Sequence, residues 1–145
     1  MSWAADGYAA SVKEIRETMA RILLVDDSED VRLALATILE DAGYEIFEAA
    51  DGAEVPEMID QHSPDLILLD VAMPRVDGFQ ALRNMKENPK HRDIPVLMVT
   101  AKGRPEDLST ARNLGARDFI SKPWSDGEVE LRVGWVLEAT ARAAH

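Results

Sequence analysis

Leu66-Ile-Leu-Leu-Asp70-Val-Ala-Met-Pro74 opens with four apolar residues in a row and reaches an aspartate. Side chains along a strand point alternately to opposite faces, so a run that is apolar at every position belongs in a sheet covered on both sides. Upstream, Arg21-Ile-Leu-Leu-Val25 has the same form and ends in Asp26-Asp27. Downstream, Ile94-Pro-Val-Leu-Met-Val-Thr100 repeats it, with Pro95 tolerated near a strand's first residue. Two further strands are expected over 44–49 and 117–121.

Helical patterns fill the gaps. Ser28 is placed to cap a helix carrying Val31, Leu35, Ile38 and Leu39 on one face, with Gly43 ending it. Asp51-Gly-Ala-Glu54 resembles a capping box, and Pro56 lies deep enough to delay or kink that helix. Residues 78–87 and 105–114 suit helices, the latter stopped by Gly115, and a long final helix is expected from Ser125. Its Val129, Val133, Val136 and Thr140 share one face, while Leu131 and Trp135 lie roughly opposite. Five βα units in succession predict an α/β fold with a doubly wound parallel sheet.

The 145 residues suit one domain and carry a formal net charge of −11. That charge argues against direct contact with nucleic acid or anionic membranes. No run approaches 18 apolar residues, and no basic-then-apolar leader opens the chain, so a cytoplasmic location is expected. The absence of cysteine excludes disulfides, thiolate zinc sites and a thiol nucleophile.

In open α/β sheets, ligands bind outside the carboxyl ends of the strands. Asp26 and Asp27 follow the first strand, Asp70 ends the third, Thr100 ends the fourth and Lys122 follows the fifth. Singly, each has an ordinary explanation: a helix cap, β-propensity or a solvated surface. Five at matching ends of four strands need a common one. Three converging carboxylates repel one another, and a divalent cation relieves the repulsion. An oxygen-only donor set favours Mg²⁺. A carboxylate nucleophile, a metal, a hydroxyl and an ammonium together suit covalent phosphoryl transfer.

At this point the motifs resemble those of two-component response-regulator receiver domains. Ile22-Leu-Leu-Val-Asp26-Asp27 is similar to the family's first strand, and Leu66 to Pro74 with Asp77-Gly78 is similar to its acceptor strand and loop. Pro95 to Ala101 and Gly115-Ala-Arg-Asp-Phe-Ile-Ser-Lys122-Pro123 resemble the fourth and fifth strands. The resemblance spans about residues 21 to 140 and implies a flavodoxin-like sheet of order 2-1-3-4-5 with five helices. It implies that Asp70 accepts a phosphoryl group from a histidine kinase or phosphotransfer protein, and that the chain assists its own phosphorylation and slow dephosphorylation without acting as an enzyme on other substrates. It implies that Asp27 binds Mg²⁺ directly and Asp26 largely through water. Asp70 and the backbone carbonyl of Ala72 complete the protein ligands. Lys122 pairs with the phosphoryl group, Thr100 turns its hydroxyl toward it, and Phe119 holds the switch-aromatic position. Ala72 and Lys102 hold the two variable positions that tune phosphate lifetime. Signalling is expected through the fourth helix, fifth strand and final helix, roughly 105 to 139, toward a downstream protein or a second copy. Leu131 and Trp135 lie on that surface.

The receiver is expected over 21–143, preceded by an extension over 1–20. There Tyr8, Val12, Ile15 and Met19 fall at helical spacing, which reads either as an apolar stripe or as part of a frayed tail. The leading reading is a stand-alone receiver; the alternative is a piece of a larger regulator or hybrid kinase. A phosphatase or phosphotransferase of the haloacid dehalogenase type resembles Asp-x-Asp at its nucleophile, but Asp70-Val-Ala72 lacks the second aspartate. The complete set of five residues argues against a degenerate receiver, and nucleotide binding lacks a Gly-rich phosphate loop.

Overall fold

The computed structural model of the protein describes residues 19–101 and 105–143. Five parallel strands form one sheet in the order β2-β1-β3-β4-β5. They are β1 (Arg21–Val25), β2 (Glu45–Ala49), β3 (Leu66–Asp70), β4 (Val96–Thr100) and β5 (Asp118–Ser121). The helices are α1 (Glu29–Asp41), α2 (Val55–His62), α3 (Gly78–Glu87), α4 (Pro105–Asn113) and α5 (Glu128–Ala143). The expected order and element types are all present. Expectations for residues 1–18 and for Lys102 lie outside the described residues.

The apolar runs divide by parity between two cores. Leu23, Val25, Ile67, Leu69, Val96 and Met98 face α2 and α3 through Val55, Ile59, Leu82 and Met85. Ile22, Leu24, Leu66, Leu68, Leu97 and Val99 face α1 and α5 through Leu35, Leu39, Val129, Val133 and Val136. Each buried Leu or Ile contributes about 2 kcal/mol of apolar transfer, which is why neither face tolerates a polar residue at mid-strand.

The local differences have local causes. Pro56 cannot donate a backbone hydrogen bond, so a 3-10 turn over Gly52–Glu54 comes first and α2 starts at Val55, with Pro56 in its first turn. The capping box is altered. Asp51 accepts from the Ala53 N–H at 2.8 Å, but Glu54 accepts from Ala50 instead of closing back on Asp51. The final helix begins at Glu128, after a left-handed Gly127, because Glu128 turns its carboxylate back to the Ser125 N–H. Ser28 and Asp77 cap α1 and α3 by accepting the N–H groups of Val31 and Gln80.

Candidate functional site

Register builds the site. Val25 lies opposite Leu69, Asp70 opposite Val99, and Thr100 opposite Ser121. The residues that end or follow these strands therefore meet at one edge. Carboxylate oxygens of Asp26, Asp27 and Asp70 lie within 4.8 Å of one another. Asp26 and Asp70 are buried, as is Thr100, while Asp27 is exposed at the rim.

Lys122 reaches into this cluster from the end of β5. Its Nζ donates to Asp26 Oδ2 at 2.7 Å and lies 3.3 Å from Asp70 Oδ1. The other Asp26 oxygen accepts the Ser28 N–H at 2.9 Å, and Arg32 donates to the Asp26 backbone carbonyl. Asp26 is thus held by a lysine and a backbone donor, whereas Asp70 keeps more of its capacity for chemistry.

Electrostatics separates the two partners. Burial, then the neighbouring Asp26 charge, raises the Asp70 pKa to about 6, against the opposing pull of Lys122. Burial alone would lower Lys122, but its bonds to Asp26 and Asp70 outweigh that and hold it above the ordinary lysine value. The site is a pocket with more negative charge than its one ammonium neutralises. Its donors are hard oxygens within reach of a common centre, so the residues present fit a small divalent cation.

Beside the cluster opens a cleft of about 450 Å³ lined by Asp70, Val71, Ala72, Thr100, Ala101, Asp107 and Lys122. Every sequence-predicted residue of the phosphoryl site is in this cleft or in the adjoining carboxylate cluster. Phe119 is not. It sits half-buried one strand away, opposite Met98, packed on the core beneath α4. Leu131 and Trp135 are farther off on α5 and are exposed, at 51% and 55%. Trp135 lines a shallow pocket with Arg117, Asp118, Val136 and Ala139.

Sequence reasoning gives three further residues no role at the site itself, although Asp51 reads as a cap and Gly78 as part of the loop motif. Asp107 lines the cleft, although in sequence it reads as an ordinary acid in a helix's first turn. Asp51 is buried and accepts from the N–H groups of Ala53, Arg75 and Val76, which together hold its carboxyl below the usual range. It ties the loop after Asp70 to the start of α2. Gly78 packs so closely on the Asp70 carbonyl that a Cβ there would collide with it. The pairing of Gly78 with Asp77 was the available signal.

The sequence matches the response regulator receiver domain family over residues 22–133. It is 38% identical over 128 residues to the probable transcriptional regulator ycf27 of Guillardia theta, across 88% of this chain and 49% of that one. It is also 38% identical to protein PilH of Pseudomonas aeruginosa, across 82% of this chain and 98% of that one. The chain thus spans about half the length of the first of these relatives. The structure superposes on the chemotaxis protein CheY4 of Vibrio cholerae with a TM-score of 0.78 at 32% identity, across 82% of this chain and 99% of that one.

Proposed function

This chain belongs to the response regulator receiver family of two-component signal transduction, and we propose that it works as a phosphorylation switch centred on Asp70. The observation that carries the proposal is the grouping of Asp26, Asp27 and Asp70 around one point, with Lys122 bridging Asp26 and Asp70. No other cluster of this kind occurs among the described residues.

An Asp70 carboxylate oxygen attacks phosphorus. The bond from phosphorus to the phosphohistidine nitrogen of a histidine kinase or phosphotransfer protein breaks, and its electron pair stays with that nitrogen. Asp70 is suited to this because a pKa of about 6 leaves it largely ionised at neutral pH while keeping it a better nucleophile than a fully solvated carboxylate. Lys122, already beside Asp70, neutralises the arriving oxygens with little movement. Mg²⁺ would be held by Asp26, Asp27, Asp70 and the Ala72 carbonyl, and it supplies further charge neutralisation when bound.

The switch follows from charge. A phosphoryl group brings negative charge and acceptor oxygens beside the Thr100 hydroxyl. Reorientation of Thr100 alters the packing at the end of β4, and Phe119 on the neighbouring strand follows it inward. The surface of α4, β5 and α5, roughly 105–139 with Leu131 and Trp135, then changes its affinity for a downstream protein or a second copy. The receiver is assigned to 21–143, acting through protein contacts. Among the described residues no helix is long and apolar enough to cross a membrane.

The test is labelling with acetyl phosphate. One phosphoryl group per chain, gained only with Mg²⁺, is expected. Labelling that ignores Mg²⁺, or continuous release of phosphate from small esters in the manner of a phosphatase, contradicts the reading.

A further inference from the structure

At the opposite end of the molecule from the carboxylates, the last turn of α1 and the outer side of β2 enclose a groove of about 480 Å³. Met19, Glu40, Gly43, Tyr44, Glu45 and Ile46 line it. Tyr44 and Ile46 are half-buried and form an apolar floor against the α1–α5 core. The rim is acidic. Glu40, Asp41 and Glu45 are all exposed, Glu45 is paired with Arg21 at 3.3 Å, and the last turn of α1 carries no basic residue. Two carboxylates therefore stand at the negative end of the α1 dipole, where a cation would be favoured. The groove also flanks an open edge, because among the described residues β2 pairs only with β1. Covering by another segment is one of the ways in which proteins protect such an edge.

We propose that residues 1–18 dock in this groove as an amphipathic arm. The chain enters β1 through Met19, which itself lines the groove, so the arm is tethered where it would bind and its effective concentration there is high. Tyr8, Val12 and Ile15 continue from Met19 at helical spacing and form one stripe that matches the apolar floor. On the same wheel Arg16 flanks the stripe, on the side of the acidic rim, while Lys13, Glu14 and Glu17 lie toward the back. The arm thus offers a cation, Arg16, where α1 ends without one. This proposal is independent of the phosphoryl chemistry and can fail without it.

The chain has no cysteine, so a nitroxide attached at Ser11→Cys is the single label on the full-length protein. Amide signals of Glu40, Gly43, Tyr44 and Ile46 are expected to lose more than half their intensity. Reversing the flanking charge with Arg16→Glu should restore them, and adding Glu40→Lys and Asp41→Lys should bring the loss back. No loss in the parent, loss centred on Leu131 and Trp135, or loss unaffected by charge reversal overturns the proposal. So does loss in a mixture of nitroxide-bearing and isotope-labelled chains, which would mean that a second copy supplies the arm.

Discussion

Lys122 Nζ donates to Asp26 Oδ2 at 2.7 Å, joining residues 96 positions apart at the ends of β5 and β1. Asp26 is almost fully buried and Lys122 one-fifth exposed, so this pair is not screened as a surface pair would be. Replacing Lys122 with Met should leave two buried carboxylates without their cation. The expected cost is about 2–4 kcal/mol at pH 7 in the absence of divalent metal, read from urea unfolding. A loss below about 0.5 kcal/mol would mean that the pair behaves as a surface contact.

Asp70 gives the metal-free protein an unusual pH profile. Its native pKa of about 6 lies above the ordinary 3.8, so between those values the folded state binds the proton that the unfolded chain has released. Stability must therefore fall as pH rises through that window, by roughly 1–2 kcal/mol after allowance for solvent at the open rim. Asp70→Asn should flatten the slope and raise stability at pH 7. The proposed Mg²⁺ site takes the ionised cluster, so the cation's stabilising effect should grow over the same window. Melting curves at pH 4, 5, 6 and 7, with and without Mg²⁺, check both statements. A profile as steep in the Asn variant as in the parent would assign the slope to another group.

The proposed coupling from the cleft to α4, β5 and α5 predicts a dissociation of two readouts. Thr100→Ala should still accept phosphate at Asp70, because the hydroxyl is not the nucleophile. Beryllofluoride, which mimics the phosphoryl group, should shift amide signals across the described part of 105–139 in the parent and much less in the variant. Shifts confined to the cleft in the parent protein would refute the coupling.

The sheet was legible because burial on both faces leaves an unmistakable mark: Leu66 to Leu69 and Val96 to Val99 are apolar at every position. The site was legible for the same reason, since Asp26, Asp70 and Thr100 are polar residues placed where an apolar run stops. What could not be read is tertiary. Asp51 looks like a cap in sequence, and only the fold brings the Arg75 and Val76 amides to it across more than 20 residues. Asp107 looks like any acid in a first helical turn until α4 is set beside the cleft. The later start of α2 was legible from Pro56, whereas α5 begins at Glu128 through the Glu128–Ser125 bond, a local choice that periodicity does not record.

The central claim is that one side chain, Asp70, carries the phosphoryl group. After reaction with acetyl phosphate and Mg²⁺, borohydride reduction converts an aspartyl phosphate to the corresponding alcohol and fixes its position in the chain. Peptide mass analysis should find that change at Asp70 alone and find none in Asp70→Asn, whose unfolding remains cooperative. Modification at Asp26, Asp27 or Asp107 in the parent, or undiminished phosphorylation of the Asn variant, would contradict the account.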